Sequence, residues 1–285
     1  MPRFVDSGRF LMRLDSTPRN GRSLFAIMFT FAIAVLGGLG LWYLLIAISD
    51  LPAFILPPPG LVWERLLRAL ADGSLMRHTL VTLQEVFLGL FLGVGLATLL
   101  GYILAKSRRL ERLLAPYVVA SQAIPVVAVA PLLVIWFGPG ILSKILICAL
   151  IVFFPVLINT IIGLQGVPED LHDLMRSLRA TPWQTLRLLE MPAAMPVLLG
   201  GLRIGATLSV IGAVVGEFVN ADRGLGFLIN IGRGEYDTAL VIVAVLALIV
   251  MALSLYGLVL FLEGRLLWWR SRTEPHIGNL RSQDG

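Results

Sequence analysis

The sequence predicts an all-α polytopic membrane protein: six transmembrane helices, with an ordered cytoplasmic segment between the fourth and fifth. Three observations carry this prediction. Hydrophobic residues make up 57% of the chain and charged residues 14%, with a mean hydropathy of +0.86, a composition suited to lipid rather than water. The apolar residues gather into runs long enough to cross a bilayer. The basic residues favour alternate connections: 16 Lys and Arg lie in the segments placed in the cytoplasm and 6 in those outside, which puts both termini inside.

Residues 1–23 carry five Arg and no long apolar run, and read as a cytoplasmic tail. The first span covers 24–48, too long in its apolar part for a cleavable signal. Pro57-Pro58-Pro59-Gly60 ends it outside. Leu61 to Ala71 sets Leu61, Trp63, Leu66, Leu67 and Leu70 against Glu64, Arg65 and Arg68, an amphipathic helix along the outer membrane face. In the second span, 80–105, small residues recur every fourth position at Gly89, Gly93, Ala97 and Gly101, allowing a close helix neighbour. Lys106 to Arg112 is an inside loop.

The third span, 117–136, contains Pro125 and Pro131, and such broken helices often line transport cavities. Ser121 and Gln122 precede the first proline and serve either as polar contacts between helices or as pathway lining. The fourth span covers 141–164. The fifth, 192–216, repeats the small stripe at Gly201, Gly205, Ser209 and Ala213, suited to a tight bundle or a contact between two copies. Arg203 within it is expected to snorkel to the headgroups. Glu217 to Asp237 reads as an outside loop. The sixth span, 238–262, ends in the anchor Arg265, Trp268, Trp269 and Arg270, and residues 266–285 form a cytoplasmic tail. Ser121, Gln122, Pro125, Asn159 and Glu217 are the candidates for lining a solute pathway.

Residues 167–191 form a polar island. Leu171, Leu174, Met175 and Leu178 make one apolar helical stripe. A second helix starts at Thr181, with Pro182 at its first position and Gln184 completing a capping box. Trp183, Leu186 and Glu190 are expected on one side of it. This much helical order suits either a docking surface or a pair of helices lying on the headgroups.

Catalytic chemistry is missing. No stretch fits G-x-x-x-x-G-K-[ST], and Lys106 and Lys144 are the only lysines. His78, His172 and His276 lack metal spacing and read as isolated; Cys148 stands alone, so no internal disulfide can form. Glu85 and Glu217 are the acids at the span margins, both placed near the outer interface. No catalytic residue, metal or cofactor is expected, so the energy for any transport must come from a partner.

Asp173-Leu174-Met175-Arg176-Ser177-Leu178-Arg179-Ala180-Thr181, then Gln184 and Met191-Pro192-Ala193-Ala194-Met195-Pro196, resemble the EAA motif of ABC-importer permeases. Ile124-Pro125 through Phe137-Gly138, with Gly216-Glu217-Phe218 and Asp222-Arg223-Gly224-Leu225-Gly226, are similar to the branch holding sulfonate, taurine, nitrate and vitamin-precursor permeases. The resemblance covers residues 57–270. It implies that the island is a coupling helix for an ATPase, carried by Asp173, Arg176, Ser177, Leu178, Arg179, Ala180, Thr181, Trp183 and Gln184. It also implies two permease copies, two ATP-binding subunits, an external solute-binding protein and the inner membrane with its lipid, and no nucleic acid. Asp173 replaces the family's Glu, Leu174-Met175 its Ala-Ala, and Arg179 its Gly, a position where positive φ is usual. The resemblance points to a heterocyclic vitamin or precursor, such as riboflavin or the thiamine pyrimidine. Aliphatic sulfonate or taurine is the alternative. A secondary transporter without an ATPase is the alternative of another class, and would call for intramembrane acids and internal repeats.

Overall fold

The computed structural model describes residues 22–49 and 51–268, and all regular structure among them is helical. The chain divides after Pro59 into two units, each described by itself. In the first, α1 (Arg22–Ser49) covers the predicted first span, and its apolar stretch is Ile33–Ser49. The tails expected over 1–23 and 266–285 lie almost wholly outside the described residues, as do Trp269, Arg270 and His276.

The second unit opens with the amphipathic α2 (Pro59–Ala71), which buries Val62 and Ala69 and exposes Leu61, Trp63, Leu67 and Leu70. An Asx turn, Asp72 Oδ1 accepting from the Ser74 amide at 2.8 Å, starts α3 (Ser74–Lys106) six residues before the predicted span. After Ser107 come α4 (Arg108–Gln122) and α5 (Val126–Phe137), bent by 95° at the break. Residues 117–136 are therefore not one straight helix. Pro125 lacks an amide to donate and its ring drives Ile124 out of the helical region, so the ladder ends there. Then follow α6 (Ile141–Gln165), α7 (Glu169–Ser177), the four-residue α8 (Pro182–Thr185), a π-helical turn over Leu186–Glu190, and α9 (Met191–Val219).

The segment expected to be an outside loop, Glu217 to Asp237, contains α10 (Leu225–Gly234). Leu225, Leu228, Ile229 and Gly232 are buried on it, beside Gly226, and form an i, i+3, i+4, i+7 stripe packed on α9 and α11 (Thr238–Leu266). Glycine and charge at the segment's ends mask that period in the sequence. Four helices among the described residues are long and apolar enough to cross a membrane: α3, α6, the continuous Pro182–Val219 and α11. The bent α4–α5 pair would make a fifth.

α6 is the axis of the bundle, gripped by α3 on one side and α9 on the other. Ile147, Cys148, Val152 and Leu157 on it have no exposed surface. Both small-residue stripes face it. A Cβ at Gly93 would lie 2.7 Å from the Ala149 carbonyl oxygen, and one at Gly201 2.8 Å from Asn159 Cβ. The stripes are thus used within one chain, which corrects the option of a contact between copies.

Candidate coupling site and the polar contacts of the bundle

The polar island folds around two backbone devices. At the end of α7, the Arg179 amide donates to Arg176 O and the Ala180 amide to Met175 O, both at 2.9 Å, with Arg179 at φ 51°. This is a Schellman ending with arginine in the left-handed position that favours glycine. Two residues on, the Gln184 amide donates to Thr181 Oγ1 at 3.3 Å and the Thr181 amide to Gln184 Oε1 at 2.8 Å, closing the capping box. Between them the chain turns sharply and presents Leu178, Ala180 and Trp183. Leu178 is 68% exposed and Trp183 67%. Leu171 and Leu174 of the α7 stripe are exposed as well. Asp173 and Arg176 pair at 2.6 Å on the open surface, and the Ser177 hydroxyl donates to Leu174 O.

The second helix of the island is not a separate element. Pro182 begins a helix that runs to Val219, and only the π turn interrupts its regularity. In that turn the Met191 amide reaches back to Leu186 O. Pro192 follows one residue beyond it; its ring crowds the preceding turn and it has no amide to give, so the turn widens. The widening rotates the later residues about the helix axis. Glu190 is buried, while Trp183 is exposed, so the two do not share a side as the spacing alone suggests.

Glu190 ends in a cluster that sequence reasoning missed. Its Oε1 accepts from Lys106 Nζ at the end of α3 and lies 3.2 Å from His172 Nε2 on α7. His172 is therefore not isolated. The signal in the sequence was an acid set between an apolar run and Pro192, but its partners lie 84 and 18 residues away. A cavity of about 850 Å³ opens beside it, lined among others by Arg108, Arg112, Gln165 and Arg176.

At the α4–α5 break a second cavity, about 340 Å³, brings Ser121 and Gln122 against Leu150, Phe154 and Pro155 of α6, and no charged residue lines it. Pro125 is exposed at the corner. Asn159 stands apart from these: its Nδ2 donates to Pro155 O at 2.8 Å and its side chain packs on Gly201.

Glu217 is placed differently from a pathway residue. It has no exposed surface; the Thr82 hydroxyl donates to its Oε1 at 2.6 Å and the Gly226 amide to its Oε2. The neighbouring amides of the α10 start are held too, Leu225 N to Thr82 Oγ1 at 2.8 Å and Gly224 N to His78 Nδ1 at 2.9 Å. Three consecutive amides that a helix start leaves free are thus satisfied by α3 and α9. Gly224, at φ 119°, is obligatory here, since a Cβ on it would lie 2.0 Å from Glu217 Oε1.

Beside this cap, Lys144 Nζ and Glu85 Oε1 pair at 2.8 Å with side chains 6% and 1% exposed. All three are enclosed by helices: Lys144 and Glu85 are paired with each other, and Glu217 beside them is held by Thr82 and Gly226. The acids sit beside a fixed lysine and a helix cap, an arrangement a structural clasp requires. Arg203, expected to snorkel, pairs with Glu263 and sits 5.6 Å from the Tyr256 ring, both on α11.

Comparison with known proteins gives a consistent picture. Residues 93–268 match the family described as binding-protein-dependent transport system inner membrane component. The chain is 49% identical to the riboflavin transport system permease protein RibX of Chloroflexus aurantiacus, over 81% of this chain and 86% of that protein. It is 35% identical to the formylaminopyrimidine transport permease protein ThiX of Halalkalibacterium halodurans, over 77% and 87%. Against the taurine transport system permease protein TauC of Escherichia coli it is 33% identical, over 83% and 88%. Among solved structures, an inward-facing form of the MetNI methionine ABC transporter shares the fold, with a TM-score of 0.61 at 20% identity, covering 69% of this chain and 97% of that one. A helical bundle with small-residue-packed spans, matched by this family model over most of its length and by permeases at 33–49% identity, belongs with these proteins: the chain is a member of the binding-protein-dependent transport system inner membrane components, the permease subunits of ABC importers.

Proposed function

We propose that this permease carries a heterocyclic vitamin or vitamin precursor, riboflavin first among them, across the inner membrane. The likeness to a riboflavin permease at 49% identity is the observation that carries the reading. The cavity at the α4–α5 break supports it. A sulfonate crossing a low-dielectric interior needs a counter-charge, and that lining offers only apolar side chains with Ser121 and Gln122. Ser121, Gln122 and Pro125 are the pathway residues of this reading, and Asn159, outside the cavity, bonds back to the lining Pro155 on α6.

In the working assembly two copies of the chain pair, each with six spans: α1, α3, the α4–α5 pair, α6, α9 and α11. Both termini face the cytoplasm. Two ATP-binding subunits hydrolyse ATP and grip the segment from Asp173 to Gln184, while a solute-binding protein delivers cargo from outside. The exposed Leu178 and Trp183 beside a rigid double cap favour docking over a loose interfacial hairpin. Titration of the cognate binding protein, with uptake in reconstituted vesicles, tests the substrate. Riboflavin or a pyrimidine precursor should bind at micromolar or tighter affinity and drive uptake. Tight binding of taurine or an alkanesulfonate, with none of the heterocycles, overturns the reading.

A further inference from the structure

A docking face is not enough for coupling; a displacement received at α7 and α8 has to reach the membrane helices through something stiff. Glu190 is where the elements meet. Its carboxylate binds Lys106 at the end of α3, faces His172 of α7, and hangs from the last residue of the π turn that leads into α9. The Glu190 side chain is 2% exposed, and its Oε2 is buried with no partner. Charged contacts of this kind resist separation, because parting them leaves a carboxylate uncompensated in a poorly solvated place. The open Asp173–Arg176 pair has no such property, since water replaces either partner at little cost.

Cavities of about 850 and 230 Å³ adjoin the cluster, and Lys106, His172 and Glu190 line both. The island is therefore not glued to α3 by apolar packing at this place; the polar bonds carry the link. The π turn supplies the facing: its extra residue rotates Glu190 inward relative to Trp183, so one short stretch offers a docking side chain outward and an anchor inward.

We infer that Glu190 is a positioning residue for transport, fastening the island to α3 and α9 so that a displacement of the docked segment moves both helices as one step. The inference rests on the docking role proposed for Asp173 to Gln184. It is separable from that role, because Glu190 lies behind the docking face and not on it.

The test uses the whole transporter in vesicles, with the permease as wild type, Glu190→Gln, Lys106→Gln, the charge exchange Lys106→Glu with Glu190→Lys, and the docking variant Leu178→Ala with Trp183→Ala. Lys106 is 46% exposed, so its replacement keeps the test alive if Glu190→Gln fails to fold. Three quantities are read: capture of the ATPase, ATP turnover stimulated by loaded binding protein, and solute moved per ATP. Both single variants should capture the ATPase as the wild type does. Solute per ATP should fall about tenfold, since a bond to a buried charge is worth on the order of a decade in an equilibrium. The charge exchange should restore most of it. An unchanged ratio in both single variants, or no recovery on exchange, overturns the inference and leaves the docking reading standing. Loss of capture equal to that of the docking variant places Glu190 on the docking face and overturns it too. Normal capture by the docking variant removes the docking reading itself.

Discussion

Arg179 holds φ 51° without a glycine's freedom, because the Schellman bonds of Arg179 and Ala180 to Arg176 O and Met175 O fix the turn. The left-handed region costs an L-residue about 1–2 kcal/mol. The positive φ usual at the family's glycine is therefore kept here by an arginine, at that cost. Replacing Arg179 by Gly should therefore be tolerated, and should raise stability by up to about 1 kcal/mol once the added freedom of the unfolded chain is subtracted. Thermal unfolding of the purified permease in detergent measures it; a clear loss of stability would mean that the Arg179 side chain matters more than its backbone. At Gly93 the constraint is of another kind. A Cβ would meet the Ala149 carbonyl at 2.7 Å, a backbone atom that cannot swing aside. Gly93→Val should cost about 1–3 kcal/mol or more by forcing α3 from α6. A wild-type melting temperature would show that the two helices are not so closely seated.

Among the elements, the island carries the face proposed for docking. Leu178 and Trp183 stand at the turn between α7 and α8, and large side chains that enter a pocket commonly dominate an interface. Changing both to Ala should leave membrane insertion intact and weaken ATPase capture about tenfold or more, given about 1.4 kcal/mol per decade. Uptake should fall with capture, while the binding protein keeps its affinity for solute. Co-purification of the ATPase with normal yield would reduce the island to an interfacial hairpin. α10 makes the opposite case. Its apolar stripe is already covered by α9 and α11, and its free amides are already taken by His78, Thr82 and Glu217. It is an anchored element rather than a loop awaiting a partner.

For the molecule as a whole, the orientation proposed from the distribution of basic residues can be tested directly. Single cysteines at Arg108 and Ser177 should be shielded from an impermeant thiol reagent in intact cells, and one at Arg223 labelled. The native Cys148 is buried and should stay silent. Labelling of Ser177 from outside would reverse the bundle and take the docking face away from any cytoplasmic ATPase. The same orientation puts the clasp of Glu85, Lys144 and Glu217 at the outer end, with Glu190 and Lys106 at the inner one. α3 contributes to both, through Glu85 and Lys106, and α9 to the outer one through Glu217 while starting at the inner one.

What the sequence determined alone is local. Apolar runs gave the membrane helices, the Thr181–Gln184 spacing gave the capping box, and the two small stripes gave close packing, because each depends on residues within a few positions along one helix. Pro125 marked the break in the third span, though not its 95° angle. Tertiary structure decided the polar interior. Lys144 and Glu85 are 59 residues apart, Thr82 and Glu217 135, and His78 and Gly224 146, so no periodicity connects them. Each looked like a surface charge or an isolated polar residue because its partner came from another helix. Burial of a charge is decided by whether a counter-charge or amide stands within about 3 Å, and that is a property of the assembled bundle rather than of any run of sequence.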